Sequence, residues 1–108
     1  MTVPSTYLQM FSTLNESGEL RLELIEKPVP TPKANEVLVR IEATPINPSD
    51  QGVMFGWADI SAASTAGEGS RAVLTAPVGE QGMRVMRARV GQALPVGNEG
   101  AGTVVATG

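Results

Sequence analysis

The sequence predicts a small, mainly β domain of barrel type with two short helices, and three observations point to it. Apolar and polar residues alternate in several short runs, as in strands with one buried face. Turns rich in Gly and Pro separate those runs, the spacing expected of an all-β sandwich or barrel. Helix signals occur at only two places. At 108 residues, the chain has room for one domain.

Residues 7–12 read as a first strand, followed by a turn at Asn15-Glu16-Ser17-Gly18. Leu20, Leu22 and Leu24 then alternate with Arg21 and Glu23, which completes a hairpin with the leucines facing a core. Pro28-Val29-Pro30-Thr31-Pro32 cannot continue a ladder, because each proline lacks a donor, so an extended surface connector is expected. A third strand spans residues 36–43, with Val37, Val39 and Ile41 facing one way and Arg40 and Glu42 the other.

Asn47 is a good N-cap, Pro48 suits the first helical position, and Asp50 stands where a carboxylate favours a helix N-terminus. A short helix is therefore predicted from Pro48 to Phe55, stopping at Gly56. Residues 57–70 are rich in Ala, Ser and Gly with little to bury, and read mostly as a mobile loop. A short strand is expected at 72–76. Met83, Met86 and Val90 share one helical face, predicting a second amphipathic helix that ends at Gly91. Methionines at that spacing are core residues. Arg84, Arg87 and Arg89 read as its solvated face. A glycine-rich stretch, residues 97–102, precedes a last strand at 103–106.

Composition narrows the function classes. An apolar fraction of 42%, a charged fraction of 18% and no long apolar run describe an ordinary globular chain. Residues 1–13 hold no Lys or Arg for a signal-peptide n-region, so a cytoplasmic location is expected. A net charge of −3 argues against a nucleic-acid partner. There is no Cys and no His, which removes disulfides, Ser/His or Cys/His nucleophilic pairs and ordinary zinc ligands. Gly67-Glu68-Gly69-Ser70-Arg71-Ala72 fits the loose dinucleotide pattern. It lacks the hydrophobic strand before and the helix after that the mechanism requires, so it reads as coincidence. Asn15-Glu16-Ser17 matches a glycosylation acceptor and, without a secretory signal, carries no weight.

Two segments are more informative together. Ala43-Thr44-Pro45-Ile46-Asn47-Pro48-Ser49-Asp50 and Pro95-Val96-Gly97-Asn98-Glu99-Gly100-Ala101-Gly102-Thr103-Val104-Val105 resemble paired signatures of the medium-chain dehydrogenase/reductase family. The preceding hairpin, connector and strand stand in the family's order. The resemblance covers the chain apart from residues 57–92, which read as an insertion. Zinc-dependent members place a ligand Cys where Asn47 stands and a ligand His where Asn98 stands. Carboxamides are poor zinc ligands, so the likeness is to zinc-free members, quinone oxidoreductases and 2-enoyl thioester reductases.

That resemblance implies a GroES-like, partly open β-barrel with two short helices, C-terminally truncated and lacking the Rossmann domain. It implies an NAD(P)H-dependent, zinc-independent reductase acting on a quinone, enone or enoyl thioester, inactive as this chain alone. The cofactor, NADPH or NADH, would be bound mainly by the absent domain. By the same resemblance Asn47 lies on the nicotinamide side of the cofactor, and Ser49 matches a proton-relaying hydroxyl. Pro48, Asp50, Asn98 and Glu99 frame the cleft, with Glu99 expected to cap or form an internal salt bridge and the glycines to permit close backbone packing. The family's tyrosines are missing: Gly52 and Ala58 stand at those places, and Tyr7 is the chain's one tyrosine. No membrane partner is expected; self-association or pairing through the open barrel edge is. The alternative is a stand-alone GroES-like interaction module that uses residues 57–92 as a docking arm.

Overall fold

The hairpin expected near the N-terminus is the centre of the structure, a computed structural model that describes residues 2–108. Strands β1 (Thr6–Leu14) and β2 (Glu19–Pro28) pair antiparallel from Thr6 opposite Pro28 to Leu14 opposite Leu20. Asn15 closes the turn between them: its Oδ1 accepts from the Glu19 N–H at 3.0 Å and from the Ser17 hydroxyl at 2.6 Å. Gly18 supplies the left-handed residue the turn needs, at φ +83°. The leucine alternation has the expected consequence. Leu20 and Leu22 are buried, while Arg21 between them is exposed.

Three further strands extend this sheet: β4 (Ser64–Ala66), β5 (Val73–Pro77) and β6 (Ala93–Pro95), in the order β4-β5-β2-β1-β6. Strand β5 is the one expected at 72–76. Strand β4 lies inside the segment read as a mobile loop, which also contains a 3₁₀ turn at Ile60–Ala62. All three β4 residues are exposed, so no alternation marks the strand. Its ladder to β5 holds it, with the Ser64 and Thr75 hydroxyls 3.0 Å apart. Gly67 and Gly69 sit in the loop joining β4 and β5, so the dinucleotide-like pattern belongs to an antiparallel hairpin and not to a βαβ unit.

The core lies on one face of this sheet. Leu14, Leu20, Leu22 and Val78 form its centre, and Met54, Phe55, Met83, Met86 and Val90 pack around it. Burying a leucine completely contributes about 1.5–3 kcal/mol. Residues 57–92 thus supply much of the core and are integral to the fold.

Helix α1 (Pro48–Phe55) has the expected limits, and Gly56 ends it at φ +51°. Helix α2 (Glu80–Val85) is shorter than predicted. It breaks at Met86 (φ −97°, ψ 15°) and resumes as a 3₁₀ turn at Arg87–Arg89. The reason lies beyond the break, where Val90 bridges to Leu14 and the Gly91 N–H donates to the Leu14 carbonyl at 2.8 Å. A continuous helix would carry the chain away from that contact.

A second sheet has two strands, β3 (Val37–Ala43) and β7 (Ala101–Thr107), paired antiparallel with register shifts after Leu38 and after Ile41. The expected apolar row of β3 is not covered: Val37 is 55% exposed and Ile41 54%. This ribbon stands off the main sheet. The radius of gyration is 16.1 Å, against about 13 Å for a compact domain of this length. An apolar groove of about 400 Å³, lined in part by Leu8, Val29, Leu38, Ile41 and Val105, separates ribbon and sheet. The architecture is mainly β with two helices and open sheets, compatible with a partly open barrel.

Candidate functional site

The two segments singled out in the sequence meet in space. Asn47 is the N-cap of α1, half-buried, with extended backbone (φ −93°, ψ 161°). Pro48 follows as the first helical residue, where its missing N–H costs nothing and its fixed φ is already helical. Asp50 is 6% exposed, and its carboxylate accepts from the Asn47 N–H at 2.8 Å. The same carboxylate lies at the positive end of the helix. Asp50 therefore shapes the turn that presents Asn47, as the cap assignment required.

The Asn47 side chain points across to the glycine-rich segment. Its Nδ2 donates to Glu99 Oε2 at 2.9 Å. Glu99 was expected to cap or to be salt-bridged inside; it is exposed, and among the described residues its partner is this amide and no cation. The acceptor is charged and the donor neutral, so the bond is stronger than an amide–amide pair. It fixes the amide plane of Asn47 and leaves its second N–H available.

Ser49 and Asn98 are exposed, and among the described residues neither makes a side-chain hydrogen bond. Ser49 stands in the first turn of α1 with its hydroxyl open to solvent; Asn98 neighbours Glu99 without joining the contact. The structure brings together Asn47, Asp50 and Glu99, and leaves Ser49 and Asn98 at the rim. Among the described residues, no group of three or more acidic side chains could hold a metal ion. The apolar groove between the sheets is lined by none of these residues.

Two glycines of the second segment, Gly100 and Gly102, sit at close approaches. A Cβ on Gly100 would lie 3.1 Å from Ile41 Cγ2, and one on Gly102 would strike the Arg40 carbonyl. Close backbone packing, as expected, seats Glu99 opposite Asn47.

Sequence reasoning missed the other end of α1. Arg89 was read as part of a solvated face, and that holds for Arg84 and Arg87, which are exposed. Arg89 instead reaches under the helix. Its guanidinium donates to the Val53 carbonyl at 3.1 Å, the Ser12 carbonyl at 3.2 Å and the Ser12 Oγ at 2.8 Å. The Ser12 hydroxyl in turn donates to the Met54 carbonyl at 3.1 Å. The Val53 and Met54 carbonyls belong to the last turn of α1, where carbonyls lack a partner within the helix and attract a cation. No spacing signal marks it, since Met83, Met86 and Val90 keep helical phase; the break of the backbone at Met86 turns Arg89 inward.

No family model matches the chain. A stretch of 39 residues is 49% identical to the chloroplast envelope quinone oxidoreductase homolog of Arabidopsis thaliana, covering 36% of this chain and 12% of that protein. This chain is similar to a quinone oxidoreductase homolog. No helix among the described residues is long and apolar enough to cross a membrane.

Proposed function

We propose that this chain is the N-terminal, GroES-like part of a zinc-independent, NAD(P)H-dependent reductase of the medium-chain dehydrogenase/reductase type, acting on a quinone or another activated double bond. The observation that carries the reading is the Asn47–Glu99 contact. It joins the two signature segments at the place where the resemblance puts the nicotinamide, in a chain that shares a 39-residue stretch with a quinone oxidoreductase homolog.

The residues fit one end of the cofactor. Asn47 is half-exposed, its plane is set by Glu99, and an amide can exchange two hydrogen bonds with the nicotinamide carboxamide. Among the described residues no strand–glycine-rich turn–helix unit offers the pyrophosphate a place, and in this reading a further domain would hold it. When bound, the nicotinamide supplies the hydride. Asp50 holds the backbone at Asn47, Glu99 fixes the amide plane, and the exposed Ser49 hydroxyl orients substrate or water. With carboxamides at Asn47 and Asn98, the reaction runs without zinc.

The test compares this chain with the polypeptide read in frame beyond Gly108. The expected result is NADPH or NADH binding, and oxidation by a benzoquinone, in the longer form and in neither case by the 108 residues alone. There, Asn47→Ala should lower kcat/KM about tenfold, the equivalent of one hydrogen bond. If neither form binds a nicotinamide cofactor, the reductase reading fails and an interaction module takes its place.

A further inference from the structure

The two sheets treat their edges differently. The edges of the first sheet are β4 and β6, three residues each, and β6 ends in Pro95. Strands that short offer little template for another chain, and proline removes a donor. The second sheet has seven-residue strands at both edges. Strand β3 carries a charged pair, Arg40 and Glu42, 3.1 Å apart. Strand β7 carries none. From Ala101 to Thr107 it contains no charge and no proline, and Thr103, Val104, Val105 and Thr107 are β-branched residues that favour strands. Among the described residues, no strand pairs with its outer edge.

A two-stranded ribbon is at best marginal in water. The surface area points the same way. The chain exposes 7419 Å², whereas a compact monomer of its mass exposes about 5,700 Å². The surplus, about 1,700 Å², is roughly twice what each partner contributes to a standard interface. Val104, 53% exposed, lies at the middle of the uncovered strand.

We propose that two copies of this chain pair antiparallel through β7, forming a four-stranded β3-β7-β7′-β3′ sheet about a two-fold axis at Val104. The strand is self-complementary in that register. Val104 meets Val104 of the second copy, Thr103 meets Val105, Gly102 meets Ala106, and no like charges oppose. An uncharged edge has nothing with which to select an acidic or basic peptide, which leaves a second copy as the occupant that fits.

Sedimentation velocity on the chain between about 1 and 100 µM tests this, the range in which a modest interface of this kind dissociates. The expected species has twice the 11.3 kDa monomer mass. Val104→Lys and Val104→Glu place like charges across the axis. Each should shift the protein to monomer, raising the dissociation constant at least about tenfold. Their circular dichroism should be unchanged, because Val104 is half in solvent. Mixing the two variants pairs Lys with Glu and should restore the dimer. A wild-type monomer throughout that range overturns the proposal. So does a dimer that both variants leave intact, since it would run through another surface.

Discussion

Arg89 ties three elements together through one guanidinium, and its consequences are testable residue by residue. Burial lowers its pKa from the ordinary guanidinium value, and its Nε is buried without a hydrogen-bond partner. It stays protonated, because guanidinium does not release its proton in proteins. Removing it takes the guanidinium from the Val53 carbonyl at the end of α1 and from Ser12 in β1. Arg89→Met should therefore cost about 1–3 kcal/mol in urea unfolding. Arg89→Lys should recover little of this, since an ammonium cannot fork to two elements. Glu42 gives a second case, on the ribbon. The Thr103 hydroxyl, donating at 2.8 Å, and then Arg40 hold its carboxyl below the ordinary 4.5. A carboxylate acidified by folding stabilises the native state fully above its unfolded value. That contribution disappears as the pH falls through the lower folded value. Acidification from neutral pH should thus loosen the bond between β3 and β7 only below pH 4.5. Thr103→Val should raise the titration of the Glu42 carboxyl carbon toward the ordinary value by NMR. An unmoved titration would mean that Thr103 is not its donor.

At the scale of elements, glycine positions decide how closely neighbours approach. Gly102 lets β7 lie against the Arg40 carbonyl, and Gly82 lets α2 rest on Trp57, where a Cβ would come to 2.6 Å from Trp57 Cβ. Gly102→Ala should pull the Gly100-side segment off β3, costing about 1–3 kcal/mol as other overpacking changes do. Amide exchange of β7 should rise with it while β1 and β2 are unaffected. The same elements show what the sequence could reveal. Strand β2 was legible because Leu20 and Leu22 face a core and Arg21 faces water. Helix α1 was legible because Asn47, Pro48, Asp50 and Gly56 each satisfy a local rule at its ends. Strands β4 and β6 were not, because a three-residue edge strand buries almost nothing and is made by its partner's hydrogen bonds. The break in α2 was hidden for a similar reason: Met83, Met86 and Val90 keep helical spacing, but a contact with Leu14, far away in sequence, decides their backbone. At the site, the cap chemistry of Asn47 and Asp50 was readable locally. Its bond to Glu99, 52 positions on, was not readable: resemblance paired the two segments, and only folding shows which atoms meet.

The whole molecule has its apolar core on one sheet and its open strands on the other, and this division should govern how it unfolds. Leu14 and Leu20 are fully buried between β1, β2 and the segment 57–92, with Val78 beside them. The β3–β7 ribbon contributes none of those core residues, so its opening releases little buried apolar surface. Local opening free energies follow buried contacts, so the ribbon should open well below the global unfolding free energy. Amides of Val39 and Thr103 should exchange faster than those of Leu14 and Leu22 by native-state hydrogen exchange. Leu20→Ala should lower global stability by about 2–5 kcal/mol, the usual cost of a cavity at a sealed leucine. It should leave ribbon exchange almost unaltered, because the ribbon already opens without the core. If Leu20→Ala accelerates β3 and β1 equally, the two sheets unfold as one unit, and the ribbon must then draw its stability from the main core. If ribbon protection instead rises with protein concentration in the wild type and not in Val104→Lys, the missing stability comes from a second copy. Concentration dependence thus separates a ribbon that is merely loose from one completed by association.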